Sequence, residues 1–453
     1  MSGAAARKPT GERAPGPKGF ELLRLIRALK RDAATALLEL HDAYGDVVQL
    51  DWFGRPSTLI AHPEEIRQVL AERWTNYAKG PFFEVFKPLL GEGLVTNDGE
   101  VWRRHRKLLH PLFARDRLDG LVPIAAGEAD ALIGRWRGSA EVELTSELER
   151  LTLAFIVRAL FRPELLERVD AMCEHFAVAS REGVRRARSP LRLPLWLPTP
   201  HHRAWNRARR ALDALVLEQI AAARRAATPD HGALLDRMVA ARGEDGRALD
   251  DGEIRDELLT FLFAGYETTA TALAWTFDFL SRRPDLQESV RRETAGLFDG
   301  GEAPSARSVL DLPRTGAVLQ ESLRLRPPVY AIQRRALGDD ELGGYPVPAG
   351  SGVVLSAYVT HRRHSPWPDP ELFRPERWLG SPPPDRFAHF PFGAGPRACV
   401  GAHWTFLEAT VVVAKVVGAF ELRAAAPNPP GQRTLTTLQP SSKIVLHLQS
   451  IDH

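Results

Sequence analysis

Between Asp250 and Pro284 the chain carries no proline and keeps a helical pattern throughout. That demands one long helix, the spine around which the rest of the chain has to pack. Asp250 and Asp251 offer N-cap oxygens and early negative charge, and Arg282-Arg283-Pro284 provides the stop. Upstream, Glu64 to Glu72, Trp102 to Phe113, Ala125 to Trp136 and Leu148 to Leu160 also place apolar residues at helical spacing. The run VVQLDW, a turn at Phe53-Gly54-Arg55-Pro56 and then STLIA predict a short hairpin. The proline-rich segment Arg185 to Pro200 parts two helical stretches and is expected to be an exposed, mobile connection. Beyond Pro327-Pro328, strand-like patterns around Glu341 to Val347 and Gly352 to Ser356 give way to an irregular, proline-rich stretch from Ser365 to Pro391. A helix resumes only after Gly401. The expected fold class is mostly α with small sheets.

Composition narrows the function classes. A length of 453 residues gives a soft prior of about two or three domains. The 44% hydrophobic and 26% charged content is that of a globular chain able to bury a sizeable core. Basic residues number 60 and acidic ones 57, so no overall field calls for nucleic acid or an anionic membrane. Two cysteines far apart, Cys173 and Cys399, exclude a disulfide framework and a four-ligand zinc site. The start, MSGAAARKPTGERAPGPKGF, lacks the apolar core of a secretory signal and reads as a flexible leader over residues 1–18. The richest apolar stretches fall short of the roughly 20 residues that span a bilayer. A cytoplasmic address without a membrane span is therefore expected. His361, His364, His201 and His202 lack a third ligand or a metal-binding motif and are read as satisfied or exposed histidines.

The most specific signal is Phe392-Gly393-Ala394-Gly395-Pro396-Arg397-Ala398-Cys399-Val400-Gly401, of the form F-x-x-G-x-R-x-C-x-G. Glycines let backbone approach a planar group closely, amide donors temper the sulfur, and a helix starting near Gly401 keeps a thiolate ionised. A lone cysteine after a glycine turn is usually an inert thiol. The complete set of spaced positions reverses that reading. A dinucleotide loop is excluded because the third glycine and a βαβ context are missing.

This loop resembles the haem-binding signature of the cytochrome P-450 family, and further motifs carry the same resemblance. Glu321-Ser322-Leu323-Arg324 matches E-x-x-R. Alone that is an ordinary surface pair worth about 0.3 kcal/mol. Phe373-Arg374-Pro375-Glu376-Arg377-Trp378 resembles the family's second arginine motif, so that Glu321, Arg324 and Arg377 would form a cluster bracing the segment that leads to Cys399. Ala264-Gly265-Tyr266-Glu267-Thr268-Thr269 lies in the middle of the long helix, where a glycine and threonine hydroxyls favour a local opening. By resemblance Glu267 is the acid and Thr268 the hydroxyl that direct water and protons on the dioxygen side of the haem.

The same resemblance implies the cytochrome P-450 fold, many helices around a buried haem with small β-sheets, as one domain over residues 19–453. It implies Cys399 as the iron ligand. Phe392, Gly393, Arg397, Gly401 and Ala264 would lie against the haem. Trp102 and Arg106 of W-x-x-x-R, Arg334 or its neighbour Arg335, and Arg397 would meet the propionates, with His105 a weaker candidate. The cofactor is haem b, O2 is the cosubstrate, and NAD(P)H serves indirectly through a ferredoxin or flavodoxin with its reductase. The basic run WRRHRK fits docking of such an acidic partner; it has no nucleic-acid motif. No reductase sequence follows the haem loop, so separate partners are expected for a monomer. Phe82, Phe83, Phe86, Leu89, Leu90, Leu195, Trp196, Leu197, Phe263, Val329 and Ile332 suggest a lipophilic small-molecule substrate such as a terpenoid, carotenoid, steroid or fatty acid. Arg185, Arg186 and Arg188 keep a carboxylate in view. The implied reaction is insertion of one oxygen atom into a C–H bond. A haem-thiolate peroxygenase or isomerase and a non-enzymatic ligand sensor are the alternatives, and neither needs the Glu267-Thr268 pair.

Overall fold

The computed structural model describes residues 12–52, 55–161, 163–189, 193–225, 233–244, 246–300, 303–380 and 385–451. Most of the leader, the turn residues Phe53 and Gly54, and 190–192 of the proline-rich connection lie outside these. The described chain is mostly helical with small separate sheets. It packs into two compact units of interleaved segments, one from 1–84, 323–372 and 381–399, the other from 85–322, 373–380 and 400–453. No helix among the described residues is long and apolar enough to cross a membrane.

The first unit is organised on a five-stranded sheet in the order Val47–Trp52, Arg55–Ile60, Gly352–Leu355, Ile332–Ala336, Tyr77–Lys79. The expected hairpin is present, antiparallel, with Val47 opposite Ile60. Arg55–Ile60 then pairs in parallel with Gly352–Leu355. Alternation sends successive residues to two cores. Val48, Leu50 and Leu59 join Leu25, Leu37 and Leu40 of the N-terminal helices on one face. Val47, Ile60, Val353 and Leu355 join Ile66, Val69, Phe387 and Phe390 on the other.

In the second unit, the helices Val122–Trp136, Leu144–Leu160, Asp251–Ser281 and Ala402–Ala419 enclose a core of Leu132, Leu148, Leu151, Leu273, Phe277, Val412 and Val416. The long helix starts with a capping box: the Asp250 carboxylate accepts from Glu253 N–H at 2.8 Å, and Asp250 N–H donates to the Glu253 carboxylate at 3.0 Å. It runs without interruption to Ser281, so the opening expected around Gly265 does not appear. The glycine has a packing reason instead. A Cβ there would meet Ile156 Cδ1 at 2.5 Å, and the Thr152 hydroxyl of the same neighbouring helix donates to Tyr266 O at 2.9 Å.

Three other expectations shift in detail. Trp102 to Phe113 is an α-helix only to Leu109 and then a 3-10 turn, His110–Phe113, because Pro111 cannot continue the amide ladder. Glu64 to Glu72 ends in a π turn from Gln68. The helix Val169–Arg188 carries Arg185, Arg186 and Arg188 in its last turn, so the connection begins only at Ser189. Within that connection Trp196 is 78% exposed.

Candidate active site: a cysteine loop and an acid–threonine helix

The cysteine loop belongs to the first unit. Gly393 and Gly395 have φ of 68° and 70°, the left-handed region. A Cβ on Gly395 would lie 1.9 Å from the Leu70 carbonyl oxygen, so only glycine fits there. Cys399 N–H donates to Phe392 O at 2.9 Å and Ala398 N–H to Gly395 O at 3.0 Å, closing the loop on itself. Cys399 itself is exposed. Two residues further on, Gly401 caps the Ala402–Ala419 helix, whose N-terminal dipole favours a thiolate. Arg397 donates to the carbonyls of Trp74 and Tyr77 and stacks on the Trp74 ring. On the strand Ile332–Ala336, alternation buries Arg334 and exposes Arg335, while Ile332 approaches Gly393. Val329 is exposed.

The E-x-x-R residues are fully buried, unlike the solvated pair their spacing alone suggests. Glu321, in the second unit, accepts from Arg374 N–H at 2.9 Å, Arg377 Nε at 3.0 Å and Trp378 Nε1 at 2.9 Å. Arg324, in the first, donates to the carbonyls of His361, Pro370 and Leu372 at 2.7–3.1 Å. Each therefore grips an irregular proline-rich stretch that has few backbone bonds of its own. His361 also serves this framework. Burial holds its pKa well below the ordinary value, and the neutral ring bonds Arg324 O through Nδ1 and accepts Phe390 N–H through Nε2.

From Glu257 to Asp278 the long helix is buried at every position except Ala264, Gly265 and Thr268. These form a strip about one turn long, with no side chain larger than threonine. The Thr268 hydroxyl donates to Ala264 O at 2.7 Å. Glu267 points elsewhere and is buried. It accepts from the hydroxyls of Thr437 at 2.8 Å and Ser180 at 3.1 Å, and from Gln439 Nε2 at 3.2 Å. Burial raises its pKa, and the hydrogen bonds oppose that shift. Ser180, Thr437 and Gln439 have no local signal in sequence; only the fold brings them to Glu267.

Trp102 is buried and Arg106 half-buried on the Gly99–Leu109 helix. His105 has a carboxylate partner on the long helix. It is buried against Glu257 at 2.7 Å, which with Glu253 raises its pKa against the effect of burial. The basic run is also less cationic than it reads, since Arg103 pairs with Glu100, Arg104 with Glu253 and Lys107 with Glu244.

The expected pocket residues divide. Phe86 and Phe263 lie 5.2 Å apart in a buried aromatic cluster with Phe176 and Tyr266. Leu89 and Leu90 are wholly buried. Phe82 and Phe83 meet edge to face and remain partly exposed.

The donor set of the loop fits a thiolate-ligated haem: one exposed thiol ahead of a helix N-terminus and a glycine turn that leaves it accessible. Among the described residues no cluster of three His, Cys, Asp or Glu side chains offers iron another site.

The cytochrome P450 family model matches residues 14–448. The chain is 34% identical over 411 residues to the cyclooctat-9-en-7-ol 5-monooxygenase of Streptomyces melanosporofaciens, covering 90% of this chain and 89% of that protein. It is 30% identical over 386 residues to the pentalenene oxygenase of Streptomyces avermitilis, covering 84% and 85%. The human ultra-long-chain fatty acid omega-hydroxylase is 31% identical over 407 residues, covering 83% and 76%. Family match and site chemistry agree: the chain belongs to the cytochrome P-450 family and is a monooxygenase that uses haem b and O2, with electrons from NAD(P)H passed on by redox partners.

Proposed function

We propose that Cys399 is the axial ligand, that Glu267 and Thr268 manage protons on the opposite face of the haem, and that the substrate is a bulky lipophilic molecule of the terpenoid, carotenoid, steroid or fatty-acid kind. The single observation that carries the reading is the strip at Ala264, Gly265 and Thr268, only partly covered in a helix otherwise buried from Glu257 to Asp278. When bound, the haem supplies reductive activation of dioxygen and transfer of one oxygen atom. The chain's own residues do the rest. Ala264 leaves room for a flat group. The Thr268 hydroxyl, donating to Ala264 O, holds its oxygen as a hydrogen-bond acceptor at a fixed height on that strip. Glu267 stores a proton one residue away.

Trp102, Arg106, Arg334 and Arg397 are the proposed propionate partners. Arg334 is preferred to Arg335 because it is the buried member of its strand pair. Phe392, Gly393 and Gly401 shape the thiolate loop, and Glu321, Arg324 and Arg377 hold the segments around it. Residues 19–453 act as one catalytic domain, a monomer served in the cytoplasm by a ferredoxin or flavodoxin and its reductase. The relatives named for cyclooctat-9-en-7-ol and pentalenene favour a compact hydrocarbon skeleton as substrate. Such compounds should shift the haem spin state, and Phe83→Ala should change their affinity or regioselectivity. A screen in which only sugars or hydrophilic amino acids perturb the spectrum would refute this.

The experiment for the central roles is Thr268→Ala. It should keep haem and substrate binding while diverting reducing equivalents into peroxide, since misdirected proton delivery lets two-electron-reduced oxygen leave as hydrogen peroxide. Equal product per NAD(P)H consumed in variant and parent would contradict the role.

A further inference from the structure

Glu267 is buried, with 4% of its surface exposed, yet its hydrogen bonds do not end inside the protein. The Ser180 hydroxyl, on the helix Val169–Arg188, donates to Glu267 Oε2 at 3.1 Å. Ser180 Oγ is in turn hydrogen-bonded to the Thr436 hydroxyl. Thr436 lies between the strands Gln432–Thr434 and Leu438–Pro440 and is partly exposed. Each link is a hydroxyl, which can accept one proton while giving up another. The other ligands of the carboxylate are different. Gln439 offers an amide, which cannot relay, and Thr437 is buried and leads inward, to Thr271 at 3.4 Å.

We propose that Thr436 and Ser180 form the proton-uptake wire that recharges Glu267 from solvent, resting on the reading of Glu267 as the acid that serves Thr268. A solvent water gives a proton to Thr436 Oγ1. Thr436 passes its own hydrogen to Ser180 Oγ, and Ser180 passes its hydrogen to Glu267 Oε2. Both hydroxyls end with the hydrogen count they began with. The carboxylate becomes a carboxylic acid and one proton has left the solvent. The surroundings make this acid a proton holder rather than a fixed anion. The titratable groups that interact with it are Glu149 on the neighbouring helix and Tyr266 on its own; beyond them Cys173 and Arg181, on the helix of Ser180, face Tyr266, and Arg433 on the hairpin faces Glu149. None of these makes an ion pair with Glu267 among the described contacts. Three of these groups, Glu149, Tyr266 and Cys173, are themselves pushed toward their neutral forms.

The wire can be read without turnover. In the holoenzyme, the carboxylic-acid band of Glu267, identified in the infrared spectrum by its loss in Glu267→Gln, shifts when the protein is moved into D2O, and the rate of that shift is the rate of proton exchange. Ser180→Ala and Thr436→Val should each slow it about tenfold or more, whereas Ser180→Thr and Thr436→Ser, which keep the hydroxyls, should exchange like the parent. A merely structural role would respond to lost packing and not track the hydroxyl. Equal exchange rates in the parent, Ser180→Ala and Thr436→Val would overturn the proposal. So would the lack of any Glu267-dependent acid band across the pH range in which the protein is folded. If Ser180→Ala does not fold, Thr436→Val alone decides, since its site is partly exposed. Exchange tests the wire, and product yield in Thr268→Ala tests the acid–hydroxyl reading beneath it, so the two fail separately.

Discussion

Glu149 lies one turn before Thr152 on the helix Leu144–Leu160, and burial, with the carboxylates of Glu267 and Glu143 nearby, pushes its pKa up to about 7. An unfolded glutamate titrates near 4.3, so the folded state holds this proton more tightly. Its contribution to stability is complete below the unfolded value and is lost as pH rises through about 7. Glu149→Gln should therefore flatten the fall in stability between about pH 5 and 8. At the upper end it should be the more stable protein, by at most about 4 kcal/mol. Denaturant midpoints of both proteins at the two pH values check this; parallel pH profiles would contradict it. Nothing in the sequence marks Glu149. Its state depends on Glu267, which is distant along the chain, and on burial that only the fold creates. The sequence singles out Cys399, Thr268 and Glu321 because the motifs that contain them have short, fixed spacings. What those spacings do not show is environment: Glu321 and Arg324 look like a weak exposed pair and prove fully buried.

Among elements, the cysteine loop separates two glycines that the motif treats alike. Both have positive φ. A Cβ on Gly395 would collide with the backbone oxygen of Leu70, whereas on Gly393 its nearest neighbour is Ile332 Cδ1 at 3.6 Å. Gly395→Ala should cost more than about 3 kcal/mol and strip the haem. Gly393→Ala should cost only the left-handed strain of about 1–2 kcal/mol and keep most of it. Haem-to-protein ratios and thermal melts of the two variants test the contrast, and equal losses would refute it. The brace at Glu321 makes a second prediction. Removing a buried carboxylate that holds Arg374, Arg377 and Trp378 leaves an uncompensated cation, so Glu321→Ala should lose about 3–5 kcal/mol or fail to fold. Retained stability in denaturant would count against the brace. Helices were the readable elements, since apolar periodicity and caps are local. The strand Ile332–Ala336 was not, because IQRRA has no alternating apolar pattern. It is a strand because its neighbours in the sheet need its backbone, and because Arg334 has a buried side to occupy.

At the scale of the whole molecule, the interleaving of the two compact units explains why composition marks no linker. The segments of each unit come from distant parts of the chain, so their cores cannot be assigned by a linear reading. The partner requirement also belongs to this scale. With NADPH alone the purified holoprotein should form no product, and a ferredoxin with its reductase should restore turnover. Turnover with NADPH alone would contradict that division of labour. Every role proposed for the site depends on Cys399 as iron ligand, and the most direct measurement is the absorption spectrum of the reduced protein with carbon monoxide. The parent and Cys173→Ala should both show the displaced main haem band of thiolate ligation, and Cys399→Ala should lose it; a displaced band that persists in Cys399→Ala, or that is missing from the parent, would contradict the assignment.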